Sequence, residues 1–453
     1  MNITTYSLFS FLSRLLLIAC PCVAVAPILQ AQDAKIDEWQ ALTAEAQALG
    51  AEIERLEAHS EVEKLQRIFG YYIDKNLWAQ AADLFADNGT VEFGGDGVYV
   101  GKGRILQYFN ALGAEGPQEG VLNDHMQLQP IVTIMSPTQA KGRWHEFSQQ
   151  AVHGQNHSWG AGTYENEYVK EDGVWKISKL HLFSTMRTPY DQGWTKEALP
   201  RSTPSTTLPP DQPPSVDYAN YPTVFAPPYH YENPVTGNKA VAASPDASNL
   251  AEQQFDSLLS DLEQRAGLLQ DEQEIERLHV IYGYYLARNQ WDDLAGIFAD
   301  DGSIEIAMRG VYRGHPSIRR NLNLYGVQGE LKGQLHNHMQ FQPVIDVSED
   351  GQSALMRSRA FSMLGTYQKN ATWMAGVYEN IFVKRDGVWQ LYKDQVFNTY
   401  FAVYGDGWKD SERRDPPGIT DGNPPDEPPT LPFEMYPSAF LPPFHYKNPV
   451  TGE

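Results

Sequence analysis

Apolar residues recur at helical spacing along residues 53–74, where Leu56, Val62, Leu65, Ile68 and Phe69 fall on one stripe. A shorter helical stretch follows from Trp78 to Phe85 and is expected to stop at the turn signal Asp87-Asn88-Gly89. The pattern then changes to runs of strand type: Thr90 to Phe93, Met126 to Ile134, Ala140 to Ser148, Gly162 to Lys170 and Val174 to Leu182. The pair Asp172-Gly173 between the last two runs is a strong hairpin signal, because both positions tolerate positive φ. Helices followed by a meander of strands predict an α+β domain whose curled sheet wraps its helices and leaves a pocket between them.

The whole pattern occurs twice. Gly70-Tyr71-Tyr72-Ile73-Asp74-Lys75-Asn76-Leu77-Trp78 returns as Gly283-Tyr284-Tyr285-Leu286-Ala287-Arg288-Asn289-Gln290-Trp291. His125-Met126-Gln127-Leu128-Gln129-Pro130 returns as His338-Met339-Gln340-Phe341-Gln342-Pro343, and Tyr164-Glu165-Asn166 as Tyr378-Glu379-Asn380. The tails agree as well, His230-Tyr231-Glu232-Asn233-Pro234 against His445-Tyr446-Lys447-Asn448-Pro449. The expected organisation is a leader over residues 1–32, a first domain over 33–198, an arm and linker over 199–247, a second domain over 248–410 and a final arm over 411–453. Both arms are rich in proline, which favours extended backbone. The first also carries Tyr218, Tyr221, Phe225, Tyr229 and Tyr231, more rings than a bare spacer needs. Burying those rings would offset the cost of ordering the arm, so the arms are expected to pack over the repeats.

Composition narrows the choice of function. The formal net charge of −22 over 453 residues repels phosphate backbones, and no basic stretch offsets it, so nucleic acid is not an expected partner. Both cysteines, Cys20 and Cys22, fall in the leader, which leaves the mature chain without disulfides, thiolate nucleophiles or cysteine-bound zinc. Arg14 followed by an apolar run from Leu15 to Leu29 suits a secretory leader cleaved after Ala31 or Gln32, giving a periplasmic or secreted protein. The alternative is lipid anchoring through Cys20, since Leu17-Ile18-Ala19-Cys20 has the form of a lipobox. No later segment approaches the length of an integral membrane span.

Taken together, Asp-x-x-x-Trp at Asp74 and Trp78, Phe-Ala-Asp at residues 85–87, His125 at a sheet entry, Tyr-Glu-Asn and Asp-Gly-x-Trp resemble the SnoaL-like family. That family lies in the nuclear transport factor 2-like superfamily, near its scytalone dehydratase branch. The resemblance covers about residues 50–190 and 265–405. It implies two tandem cone-shaped domains, each with N-terminal helices packed in a curved, mostly antiparallel sheet. It further implies elimination of water without metal or other cofactor, by an Asp–His pair, a second His and tyrosines. Carried across, Asp74 falls on the family's Asp, His125 on the His that opens the first long strand, and His145 near the main catalytic His.

The residues alone support the same chemistry. An imidazole titrating near neutrality can take a carbon-bound proton and return it to a leaving hydroxyl, and a carboxylate on its other nitrogen fixes the tautomer. Asp74, His145 and His125 are therefore the catalytic candidates. Tyr71, Tyr72, Trp78 and Phe93 are expected to line the first pocket, and His338 and Arg359 the second. The second repeat has Ala287 for Asp74, Arg359 for His145 and Gln395 for His181, so catalysis is expected mainly in the first. A metal site from His145, Glu146, His153 and His157 is not expected, because Tyr367 and Ala371 replace two of these histidines in the second repeat. The expected ligand is a hydrophobic, hydroxylated or aromatic small molecule, and the expected activity that of a lyase or isomerase. Two other readings stay open. One is a periplasmic small-molecule binder without turnover; the other is an assembly protein whose repeats form an internal pseudo-dimer, with homo-oligomerisation also open.

Overall fold

A computed structural model of the chain describes residues 25–237, 250–329, 331–411 and 422–453. Cys20 and Cys22, with the expected leader's lipobox-like run, lie outside the described residues, as do residues 238–249 of the expected linker. The chain divides into two compact units. Among the described residues the smaller pairs residues 25–52 with residues 250–262; in it the Trp39 ring packs on Phe255 at 4.9 Å and its Nε1 donates to the Leu250 carbonyl. The larger unit holds both repeats. Among the described residues no helix is long and apolar enough to cross a membrane.

Each repeat follows one plan. The first has helix α1 (Val25–Asp74), helix α2 (Trp78–Asp83), strands β1 (Phe85–Phe93) and β2 (Tyr99–Val100), and helix α3 (Lys102–Leu112). A meander of four long strands follows: β3 (Val121–Ser136), β4 (Gln139–Val152), β5 (Asn156–Glu171) and β6 (Val174–Pro189). The second repeats it with α4 (Glu252–Leu286), α5 (Trp291–Gly296), β7 (Phe298–Ile306), β8 (Tyr312–Arg313), α6 (Gly314–Leu322), a 3₁₀ turn (Asn323–Tyr325) and β9 (Gln334–Val347) to β12 (Val388–Val403) through β10 (Ser353–Thr366) and β11 (Asn370–Arg385). The sheet orders are β2-β1-β6-β5-β4-β3 and β8-β7-β12-β11-β10-β9. All pairings are antiparallel except β1 with β6 and β7 with β12. The protein is thus α+β, two tandem cones.

Local chemistry accounts for the elements. Asn76 and Asn289 take positive φ just past the ends of α1 and α4, a conformation asparagine tolerates better than most residues. Trp78 and Trp291 then donate Nε1 to the carbonyls of Gly113 and Gly326, each at 2.9 Å, tying the short helix to the next loop. Asp172-Gly173 and Asp386-Gly387 both carry consecutive positive φ values, the hairpin geometry their sequence predicts. One expectation needs correction. Asp87-Asn88-Gly89 does not end the element but lies inside β1, where the register against β6 shifts between Phe85 and Thr90. Pairing to β6 on both sides of the irregularity absorbs the turn-prone residues as a bulge.

The proline-rich arms are packed in place. Val98 bridges Gln212 and Val311 bridges Glu427, while the Tyr99 and Tyr312 hydroxyls donate to the carbonyls of Leu208 and Asn423. On the outer face of each sheet Arg143 and Arg357 hold Glu165 and Glu379 and also donate to the carbonyls of Pro228 and Pro443. Rings account for much of the adhesion: Tyr218 stacks on Phe225 at 4.5 Å and Phe433 on Phe440 at 4.8 Å.

Candidate active site

Strand alternation decides which side chains enter the first cone. Along β4, Glu146 is buried and His145 exposed; along β3, His125 enters from the strand alongside. Gln127 stands opposite Glu146 in the register, and His125 opposite Ser148, so His125 and Glu146 are diagonal neighbours on one face. Their contact is close: His125 Nδ1 lies 2.7 Å from Glu146 Oε1. Gly162 makes room beneath the carboxylate, since a Cβ there would sit 2.6 Å from Leu182 Cδ1 and 3.3 Å from Glu146 Oε2.

The other ring nitrogen, Nε2, lies 3.4 Å from the Gln150 amide nitrogen, and Arg187 donates to the Gln150 carbonyl oxygen at 3.2 Å. That orientation turns the Gln150 NH₂ toward the ring, which suits a neutral imidazole with its proton on Nδ1 and a lone pair on Nε2. Burial by itself would lower the His125 pKa. The hydrogen bond and charge of Glu146, with a smaller contribution from Asp74, outweigh it, and the net position is above the ordinary imidazole value. Below the pair runs a buried polar ladder: Gln66 Nε2 donates to Gln127 Oε1 at 2.8 Å, and Asn166 and Tyr168 both donate to Gln66 Oε1.

The sequence-derived candidates fall in different places. The expected Asp74–His145 pair is not formed. His145 points away from the cone interior, because it is one residue out of phase with Glu146 on β4. Asp74 is engaged by Arg359 of the second repeat, which also binds Asp124, and all three side chains are buried. The other Asp74 oxygen accepts the backbone N–H of His125 at 2.6 Å, so Asp74 positions the strand that carries His125. Tyr71 is a contact between repeats as well, donating to the Gln342 carbonyl at 2.8 Å, and Tyr72 packs on Phe444 of the second arm. Trp78 and Phe93 belong to the core around Phe109. Of the three catalytic candidates, His125 alone has its ring in the buried polar cluster.

In the second repeat Ala360 stands opposite Gln340, where Glu146 stands opposite Gln127. His338 is left with Ser362 Oγ at 3.0 Å, and burial, aided by His336, lowers its pKa to about 3. Leu364 and Phe401 replace Gln150 and Arg187. Arg359 serves the contact between repeats and does not line the second interior. Sequence reasoning weighed Glu146 only for a metal site and not as the partner of His125. Its signal was present: it sits one position from His145, hence on the opposite strand face, and it becomes Ala360 just as Asp74 becomes Ala287. Of the histidines weighed for a metal, His157 lies 3.0 Å from Asp191 and His153 lies 2.9 Å from the Ser411 carbonyl. Among the described residues no group of three or more His, Cys, Asp or Glu side chains is placed to hold a metal ion.

No functionally curated protein matches the chain. Among solved structures, a Novosphingobium aromaticivorans protein named for scytalone dehydratase is 25% identical, with 34% of this chain and 96% of that one covered and a TM-score of 0.28. A type 2 hexachlorocyclohexane dehydrochlorinase, LinA, is 24% identical over 30% of this chain and 92% of its own, with a TM-score of 0.28. The type 3 enzyme from Novosphingobium barchaimii is 20% identical over 30% and 92%, with a TM-score of 0.27. The SnoaL-like domain profile matches residues 54–181 and again 268–393, together more than half of the chain. With one match on each cone, this chain belongs to the SnoaL-like family and carries its domain twice.

Proposed function

We propose that the first repeat is a lyase or isomerase that uses His125, held and polarised by Glu146, to move a proton on a hydrophobic hydroxylated or aromatic small molecule. His125 Nε2 takes a proton from a carbon beside the leaving group, and the C–H electron pair becomes the new double bond as the C–O bond breaks. The imidazolium returns its proton to the departing hydroxyl, so water leaves and no cofactor is consumed. In the isomerase variant the same proton is returned to a different carbon. The observation that carries the reading is the 2.7 Å His125–Glu146 pair, present in one repeat and replaced by His338 and Ala360 in the other. Family membership and neighbours named as a dehydratase and dehydrochlorinases agree with it. The leader would deliver the protein to the periplasm or the exterior.

The test is a turnover screen of the purified mature chain against aromatic and polycyclic alcohols, beside His125→Ala and Glu146→Gln. Turnover that is lost in His125→Ala while ligand still binds is the expected result. Binding with no turnover by the unmodified chain would sink the enzyme and leave a carrier. Turnover that survives His125→Ala would place the chemistry elsewhere.

A further inference from the structure

Five matching positions differ in kind between the two cones. In the first, Asp96 and Tyr108 satisfy each other, the Tyr108 hydroxyl donating to Asp96 at 2.5 Å, while Phe69 and Leu180 are buried and Leu112 is exposed. In the second these positions hold Arg309, Asn321, Tyr282, Asp394 and Tyr325. They come from separate elements: the β7–β8 turn, α6, α4, β12 and the 3₁₀ turn. Packing brings them together. The Arg309 guanidinium lies over the Tyr325 ring at 4.5 Å, and Tyr282 donates to Asp394 Oδ2 at 2.9 Å. Tyr325 stands between the two groups: burial raises its pKa, the Arg309 charge opposes the rise and the Asp394 charge adds to it.

Arg309 is 4% exposed, and Asn321 and Asp394 are 0% exposed. Yet among the described residues Arg309 Nε and Nη1, Asn321 Oδ1 and Nδ2, and Asp394 Oδ1 have no hydrogen-bond partner. A buried cation without a counter-ion is costly, and native interiors pair such charges. Asp394 is not that counter-ion. Tyr282 holds one of its oxygens, and burial raises its pKa to about 7, which draws it toward the neutral carboxyl. The free nitrogens of Arg309 therefore fit an anion brought from outside. Stacking on Tyr325 fixes the guanidinium plane and leaves its edge to donate. Asn321 stands beside it, since the matching side chains of the first cone touch, and adds amide donors.

We propose that the second cone binds a small organic monocarboxylate, with its carboxylate on Arg309 and Asn321 and its apolar body against Met308, Leu324 and Phe440. These three partly buried side chains pack on the core of the same cone. The arm brings the last of them close: the Phe433 N–H donates to Met308 Sδ at 3.3 Å, and Phe433 stacks on Phe440. One guanidinium matches one negative charge. The net charge of −22 repels free anions at long range, so an apolar body must supply part of the binding, which disfavours inorganic ions. The site lies in the second repeat and stands apart from the proton transfer assigned to His125.

The test is isothermal titration calorimetry of the purified mature chain with benzoate, phenylacetate and cyclohexanecarboxylate, beside neutral benzamide and inorganic phosphate. The expected result is that a carboxylate saturates one site per chain, with benzamide and phosphate weaker by about tenfold or more, the scale of a charge-assisted hydrogen bond. Arg309→Met is expected to weaken carboxylate binding by about tenfold or more. Because it removes an unpaired buried charge, it should not lower the thermal midpoint of the ligand-free chain. His125→Ala should bind as the unmodified chain does. If circular dichroism shows that Arg309→Met is not folded, Asn321→Leu reads the same site with the same expected loss of binding. Saturation by none of these carboxylates overturns the proposal, as does phosphate binding as tightly as they do. Binding that the folded variant keeps, or that His125→Ala loses, places the ligand outside the second cone and overturns it too.

Discussion

Arg359 is the cation shared by two buried carboxylates, Asp74 and Asp124, with side chains no more than 6% exposed. In Arg359→Met the volume is roughly kept, but both carboxylates lose the guanidinium that pairs with them. Removing one partner from a buried ion cluster costs about 3–5 kcal/mol, because the remaining charge is stranded away from water. With a urea dependence of about 3 kcal/mol per molar, the upper end for small proteins, the unfolding midpoint drops by roughly 1–1.7 M. The second repeat suggests the compensating change, since the matching positions hold Ala287, Asn337 and His145. The triple variant Asp74→Ala, Asp124→Asn, Arg359→His removes every charge together and is expected within about 1–2 kcal/mol of the unmodified chain. Part of that residue is the lost bond from the His125 N–H to Asp74, worth about 1 kcal/mol. Urea unfolding followed by tryptophan fluorescence reads both variants. A single substitution costing under about 1 kcal/mol, or a triple variant as unstable as the single one, would refute the buried triad as the link between repeats.

Glu146→Gln is expected to lower kcat/KM by up to about 10⁴-fold, the scale of losing a carboxylate that orients a catalytic imidazole. A base works only when unprotonated, so the acid limb of the pH–rate profile follows the His125 pKa. Glu146 holds that pKa up, and its removal should move the limb to lower pH; a limb that stays in place counts against the pair. Asp394 is fully buried beside Tyr282, and burial raises its pKa from 3.8 to about 7. The folded state then binds the proton more tightly than the unfolded chain between those values. Stability should fall as pH rises through this window, by on the order of 4 kcal/mol, and level off above it. Asp394→Asn should abolish the fall, and an unchanged pH dependence of the urea midpoint would show that another group is responsible.

Much of the fold was legible in the residue order, because it rests on local physics. The duplication, the helical stripe through Leu65 and Phe69, the Asp-Gly hairpins and the aromatic load of the arms each follow from side-chain period, backbone preference or the need to bury rings. Helix α3 and the bulge inside β1 were not legible: the first lacks a strong signal of its own, and the second exists because β6 pairs on both sides of it. The site was half legible. The loss of Asp74 and His145 in the second repeat pointed to the first cone, and His125 stood among the candidates although its counterpart His338 is retained. Whether His145 or its neighbour Glu146 enters that cone turns on a single step of strand register, and composition carries no information about it. Asp74 has the same limitation, since its partner Arg359 lies 285 positions away and reaches it only because the second sheet docks on the end of α1. Sequence determined which groups were available; the packing of one repeat on the other decided which of them became structure and which stayed free to act.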